Sequence, residues 1–402
     1  MTKRRNDHGS SEPRRLDRRS VLRAAAATGA FGGLASAAWP MGSLGARAFM
    51  PLAPGLKTER VVLVVMAGGV RSRETFGSPN QIPNLVRMAR EGTLFTRLRT
   101  ANLGHFGASM SIFTGISEAR GIRDNTRAPD PTLFEYIRKD LGLASNEVWV
   151  TTAGGAQQVN YSYGLHPEYG ARFGATILDG DGIFNEEFKG LVQRYGVPRP
   201  LDDERADQVR ELRRTLRGDR GGRDEGKVAE ARARVESYIL SELGRGVTEM
   251  RGAGAGDAKA LRLARNLLSV FKPKLIGVVL QDADIAHGSF NGYSEVVRRA
   301  DAGIGELLET IRGDETLRDS TAVMVLPEFG RDKDLNARRG LDHGDGSDDL
   351  RFVHGAVWGP DFKRGKVVKD DHRTIDMTPT IAHLFGAKAK FSKGSVLRAA
   401  LG

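Results

Sequence analysis

Two histidines lie beside carboxylates in loops that follow predicted buried strands. His287 comes shortly after Asp282 and Asp284, and His343 follows Asp342. The chain has eight histidines and no cysteine, so a metal ion would need nitrogen or oxygen ligands. Imidazole and carboxylate groups together suit one divalent ion such as zinc, manganese or calcium. The sequence therefore predicts a metal site of His287, His343 and either Asp282 or Asp284; the alternative is a set of ordinary polar loop residues.

Four further residues could complete a catalytic site around this metal. His105 precedes a predicted helix, whose N-terminal amides attract anions, and could act as a nucleophile or as a general acid or base. Glu328 follows another buried strand and could be a metal ligand or a base. Arg71 and Arg331 lie just after strands and could bind an anionic group through paired N–H donors. Either arginine could instead belong to a solvated turn.

The candidate residues must be positioned by the strands of a sheet. Runs of aliphatic residues predict strands at 61–66, 94–99, 147–152, 275–280, 321–326 and 352–358. Amphipathic segments predict helices at 82–91, 293–311 and 376–385. This alternation predicts an α/β fold with a mostly parallel central sheet covered by helices on both faces. Sites in such sheets form at the carboxyl ends of the strands, where the candidate residues occur.

The middle of the chain differs in composition. Segment 202–265 is dense in Arg, Glu and Asp and is interrupted by glycines, which predicts a charged helical insertion. A mobile lid over the site is the alternative interpretation. The predicted α/β domain then comprises 58–201 and 266–388, and 389–402 forms a C-terminal tail.

Residues 1–48 have the pattern of a twin-arginine signal peptide. Arg18 and Arg19 precede a short stretch rich in Ala and Gly, and Ala46-Arg47-Ala48 fits a cleavage site, as does Ala35-Ser36-Ala37. The stretch is too short and too weakly apolar for a stable membrane span. We therefore expect the twin-arginine export machinery to deliver the protein to the periplasm or the extracellular space. An uncleaved membrane anchor is the alternative.

The signal peptide also explains much of the basic charge. The formal net charge is +11, and segment 1–48 contributes nine basic and three acidic residues to it. The remaining chain is only mildly basic and shows no basic module interleaved with aromatic residues. The sequence therefore argues against a nucleic-acid partner.

The order of short motifs resembles the alkaline phosphatase/sulfatase superfamily. The motifs are Pro83-Asn84-Leu85, Glu91-Gly92-Thr93-Leu94-Phe95, Ser111-Ile112-Phe113-Thr114-Gly115, the Asp282-to-His287 segment, Asp301, Glu328-Phe329-Gly330, His343 and Asp376-Met377-Thr378-Pro379. Within the superfamily the chain looks most like twin-arginine-exported, sulfatase-like bacterial proteins with Glu-Phe-Gly-Arg (328–331) and Asp-His (342–343) motifs. The resemblance implies an alkaline-phosphatase-like fold and hydrolysis of phosphate or sulfate esters.

The chain departs from the superfamily pattern at three positions, two of which usually carry metal ligands and one the nucleophile. Ala67 stands where a metal-binding Asp is usual, Phe329 replaces a ligating His, and His105 occupies the nucleophile position. The resemblance therefore implies one intact metal site rather than two.

From these observations we expect an exported, metal-binding, hydrolase-like protein that cleaves a small anionic ester. The alternative is a non-catalytic, sulfatase-like binding protein of the cell envelope.

Overall fold

The computed structural model describes residues 55–117, 127–152, 158–178 and 252–402. The predicted signal peptide (1–48) and residues 202–251 of the predicted insertion lie outside these ranges. Within the described ranges, no helix is both long enough and apolar enough to cross a membrane.

A nine-stranded sheet forms the centre of the fold. Its strands are β1 (Arg60–Met66), β2 (Thr93–Arg99), β3 (Val148–Thr152), β4 (Thr176–Leu178), β5 (Leu275–Leu280), β6 (Thr321–Pro327), β7 (Phe352–Trp358), β8 (Lys366–Val368) and β9 (His372–Arg373). Their order is β4-β3-β5-β1-β6-β7-β2-β8, with β9 beside β2. Among the strands of the described ranges, only β7 is antiparallel to its neighbours, β6 and β2. The predicted mostly parallel sheet is therefore confirmed.

Helices cover both faces of this sheet. They are α1 (Pro83–Glu91), α2 (His105–Thr114), α3 (Leu133–Leu141), α4 (Ala255–Phe271), α5 (Phe290–Gly313), α6 (Asp348–Arg351) and α7 (Met377–Leu384).

Successive side chains of β1 enter two different hydrophobic cores, because side chains along a strand alternate between faces. Val62 and Val64 pack with residues of α1, α4 and α5. Val61 and Leu63 pack with residues of α2, α3 and α7. A strand buried on both faces must be apolar at every position, which explains the continuous aliphatic run.

Helix α4 crosses the predicted end of the insertion at residue 265. Ala260, Leu261 and Ala264 are buried and belong to one of the two cores. Residues 255–265 therefore belong to the α/β domain, although Lys259 and Arg265 made this stretch resemble the charged segment before it.

The predicted C-terminal tail, 389–402, also packs on the domain. Leu397 and Ala400 are buried in the second core. Leu401 forms a β-bridge with Phe362.

Strands β1, β2, β5 and β6 run in one direction, so their carboxyl ends lie along one side of the sheet, which we call the carboxyl edge. The segments after β1 and β5 pack closely there. A Cβ atom on Gly68 would lie only 2.6 Å from the backbone nitrogen of Asp284. Glycine at position 68 is therefore needed for the two segments to approach each other.

Helix α1 begins without a cap from its own segment, because Ile82 has no side-chain acceptor. Asp301 of α5 supplies one instead. Its carboxylate accepts hydrogen bonds from the backbone nitrogens of Asn84 and Leu85 at 3.1 and 2.8 Å, and from Asn84 Nδ2 at 2.9 Å. Asp301 therefore joins two helices that cover the same face of the sheet.

We expect Asp301→Ala to lower the free energy of unfolding by about 1–3 kcal/mol, because it leaves buried amides without an acceptor. Urea unfolding monitored by circular dichroism would measure the change. Asp319→Ala is the matched control, since that carboxylate is exposed and its ion pair among the described residues is with its neighbour Arg318. Equal stability of the two variants would contradict the capping role.

Candidate metal centre

Four side chains converge at the carboxyl edge. They are His105, Asp284, His287 and His343, and each offers one ligand atom within 4.8 Å of the others. We call this group the His/Asp cluster.

The cluster is assembled from three segments of the chain. His105 is the first residue of α2, and His343 lies in the loop between β6 and α6. Asp284 and His287 belong to the 3₁₀ helix Asp282–His287, which follows β5. Because a 3₁₀ helix has about three residues per turn, residues three apart lie on one side of it. This geometry places Asp284 beside His287.

Asp284 lies at the centre of the cluster. Its Oδ1 atom is 2.9 Å from His105 Nε2 and 3.3 Å from His287 Nε2. His105 Nε2 is a buried atom, and in the protonated imidazole its N–H forms an ion pair with Asp284. Ligand atoms this close could share a metal ion in place of the proton between them.

The other ring nitrogen of two cluster histidines faces a carboxylate. Nδ1 of His105 is 2.6 Å from Glu328 Oε1, and Nδ1 of His287 is 2.5 Å from Asp342 Oδ1. Metal-ligating histidines commonly donate their second nitrogen to a carboxylate in this way. The contacts of Glu328 and Asp342 with these Nδ1 atoms therefore fit a metal site, as do the four ligand atoms of the cluster.

The charges around the cluster set the protonation states of two of its metal-binding groups. Burial and the positive charges of His105 and Arg331 lower the pKa of His343 to about 4, so this imidazole is neutral at pH 7. Burial opposes ionisation of Asp284, but His105 and Arg331 outweigh it and hold its pKa below the usual range. His343 and Asp284 are therefore already in the protonation states that bind a metal.

His105 and Glu328 form a coupled pair. Burial opposes protonation of His105, but the carboxylates of Asp284 and Glu328 outweigh it and raise its pKa to about 10. Burial raises the pKa of Glu328 to about 7. His105 would therefore release a proton when its Nε2 becomes a ligand.

Asp282, the other predicted ligand, has a structural contact instead. Its Oδ2 accepts a hydrogen bond from the backbone nitrogen of Asp257 at 3.1 Å. Asp257 Oδ1 accepts in return from the backbone nitrogens of Gln281 and Asp282, at 2.7 and 3.1 Å. These bonds join the end of β5 to the start of α4. The geometry therefore places Asp284 in the cluster and Asp282 outside it.

Arg71 is buried, and its guanidinium forms an ion pair within the protein. Its Nε and Nη2 donate to the two carboxylate oxygens of Glu74 at 2.8 and 2.7 Å. Its Nη1 donates to the carbonyl oxygens of Asp332 and Lys333. These contacts argue against the predicted anion-binding role of Arg71.

Arg331 is also fully buried and engaged. Its Nη2 lies 2.6 Å from Asp284 Oδ1 and also donates to the carbonyl oxygen of Gly68. Its Nε and Nη1 donate to the carbonyl oxygens of Gly69 and Leu341, at 3.3 and 3.1 Å. Its guanidinium connects three segments of the carboxyl edge, which again argues against the predicted anion-binding role.

Glu328 lies behind the cluster. Its Oε1 faces His105, and its Oε2 accepts a 2.6 Å hydrogen bond from the buried Ser109 Oγ. Glu328 is not among the four residues that offer ligand atoms to the cluster. Sequence reasoning did not identify Ser109 or Asp342 as partners of these groups, since both pairings depend on tertiary contacts.

Neither a family model nor a curated protein matches the chain. Solved structures of the same fold do match. A variant of alkaline phosphatase PafA has a TM-score of 0.58 at 10% identity, covering 86% of this chain and 99% of its own. A phosphonate monoester hydrolase from Silicibacter pomeroyi has a TM-score of 0.53 at 14% identity, covering 85% and 76%. These similarities confirm the predicted alkaline-phosphatase-like fold.

The carboxyl group of Asp257 should make stability depend on pH. Burial and the nearby Asp282 carboxylate raise its pKa well above the usual range. The unfolded chain therefore releases this proton at a lower pH than the folded chain, so the fold loses stability as pH rises above about 4.

Replacing Asp257→Asn keeps an oxygen acceptor for the two amides and removes the titration. We expect the wild type to lose stability relative to this variant as pH rises from about 4 towards neutrality. Urea unfolding at a series of pH values measures the difference. A difference that does not change with pH would contradict the assignment.

Proposed function

We propose that this protein is an exported, metal-dependent hydrolase that acts on phosphate, sulfate or related esters. The observation that carries the proposal is the convergence of three imidazoles and one carboxylate at the carboxyl edge of an alkaline-phosphatase-like sheet. Sites in open α/β sheets form at this position.

The donor set indicates which ion fits. Three nitrogen donors and one carboxylate suit zinc or manganese, whereas calcium prefers six to eight oxygen ligands. His105, Asp284, His287 and His343 would hold the ion. A divalent ion bound there would act as a Lewis acid towards an ester oxygen.

The cluster is open to solvent on one side. The side chains of His105, His287 and Asp284 are 29%, 34% and 49% exposed, so solvent reaches all three. Ser109 lies behind His105 but is buried and donates to Glu328, so it is not an exposed nucleophile.

Water is therefore the expected attacking group. Its oxygen would form a bond to phosphorus or sulfur while the bond to the leaving-group oxygen breaks, and the alcohol would leave with a proton. The solved structures of the same fold include an alkaline phosphatase and a phosphonate monoester hydrolase. Aryl phosphates, phosphonate monoesters and aryl sulfates are accordingly the substrate classes to test.

A non-catalytic binding protein of the cell envelope is the second candidate. The engagement of Arg71 and Arg331 favours it, because neither guanidinium is free to bind an anionic ester. Ala67 and Phe329 also remove two side chains that most superfamily members use for a metal. If the protein is such a binding protein, the cluster would bind a metal but would not hydrolyse an ester.

We expect His287→Ala and Asp284→Ala each to abolish stoichiometric metal binding, because each removes one of the four metal-binding groups. Any esterase activity should fall at least about 100-fold in both variants. Mass spectrometry of metals in the purified protein and assays with aryl phosphate and aryl sulfate measure both effects. Asp282→Ala is the matched control, which should retain the metal.

Metal content unchanged in His287→Ala would refute the site. Stoichiometric metal without turnover of any of the three ester classes would favour the binding protein.

Export by the twin-arginine route is the remaining part of the proposal, and it rests on the sequence of residues 1–48. Replacing Arg18 and Arg19 with lysine should retain the protein in the cytoplasm, because the paired arginines form the export signal. Cell fractionation with immunodetection measures the distribution. Normal export of the double variant would contradict the assignment.

A further inference from the structure

We propose that Glu328 is a positioning residue that fixes His105 as a metal ligand. The inference rests on the proposed metal site. It assigns Glu328 neither to the metal nor to the substrate, but to the orientation and tautomer of one imidazole.

Two acceptors determine which nitrogen of His105 carries the proton. Nδ1 lies 2.6 Å from Glu328 Oε1 and 3.0 Å from the backbone carbonyl oxygen of Ala67. A carbonyl oxygen can only accept, so Nδ1 must be the donor. The lone pair of the neutral ring therefore lies on Nε2, the atom that points into the His/Asp cluster.

The carboxylate of Glu328 is itself held in place. It is fully buried, and its second oxygen accepts the 2.6 Å hydrogen bond from Ser109. The Phe329 ring lies with its centre 5.0 Å from that of His105 and limits rotation of the imidazole. His105 is thus oriented by a carboxylate, a carbonyl and an aromatic ring.

A second carboxylate–histidine pair in the same site provides a comparison. Asp342 contacts Nδ1 of His287, but its side chain is 40% exposed, whereas that of Glu328 is 0% exposed. Water can replace the oxygen of an exposed partner, but it cannot easily reach the buried one. Loss of Glu328 should therefore weaken metal binding more than loss of Asp342.

Two conservative variants separate orientation from charge. Glu328→Gln removes the charge but keeps an oxygen that can accept from Nδ1, with its amide facing Ser109 Oγ. Glu328→Asp keeps the charge but is one methylene shorter and does not reach Nδ1. Because outer-shell partners typically affect metal affinity about 10–100-fold, we expect Glu328→Asp to weaken binding at least about tenfold. Glu328→Gln should stay within about threefold of the wild type.

The experiment titrates full-length mature protein with Co²⁺ in competition with a chromophoric chelator and records the visible cobalt spectrum. The expected result is a changed spectrum and weaker binding for Glu328→Asp, with rescue of both by Glu328→Gln. Asp342→Ala, the matched control, should weaken binding less than Glu328→Asp does. Thermal unfolding of the metal-free variants verifies that each is folded.

Three results would overturn the inference. They are wild-type affinity in Glu328→Asp, equally weak binding in Glu328→Gln, and no Co²⁺ binding by the wild type. Co²⁺ binding with the expected variant pattern but without ester turnover would support the inference and refute only the hydrolase proposal.

Discussion

The ion pair between Arg331 and Asp284 connects the segments that build the candidate site. Asp284 follows β5, and Arg331 follows β6 and also donates to carbonyl oxygens after β1 and in the His343 loop. A buried guanidinium is tolerated only where several acceptors surround it. The same carboxylate oxygen faces His105 and His287, so one interaction sets both the packing of the loops and the placement of the donors.

Much of the fold could be predicted from sequence because buried parallel strands must be apolar on both faces. The runs at β1, β5 and β6 therefore stand out, and His287 and His343, which follow β5 and β6, fall at the carboxyl edge. The choice between Asp282 and Asp284 could not be made in this way. It depends on a 3₁₀ turn, which brings residue 284 rather than residue 282 beside His287. The roles of Arg71 and Arg331 depend on partners distant in sequence, which no local pattern reveals.

The site combines one ionised carboxylate with imidazoles, two of which contact a second carboxylate through Nδ1. Phe329 fills space beside His105 and His343, with ring centres 5.0 and 5.1 Å away, and Ala67 contributes only its carbonyl oxygen to His105. Both positions carry metal ligands in most members of the superfamily that the sequence resembles. At these two positions the described structure therefore has an aromatic ring and a backbone carbonyl oxygen instead of the side-chain ligands that the resemblance implies.

The antiparallel pairing of β6 with β7 has a consequence for how such a site can change. The two strands are neighbours, so the chain between them, 328–351, never crosses the sheet and stays at the carboxyl edge throughout. This stretch carries Glu328, Arg331, Asp342 and His343. Within it, Asn336 Nδ2 donates to the carbonyl oxygen of His287, and the carbonyl oxygen of Arg339 accepts from the backbone nitrogen of Phe290. A change in the length of this connection would therefore act on the segment that carries Asp284 and His287 before it acted on the pairing of any strand.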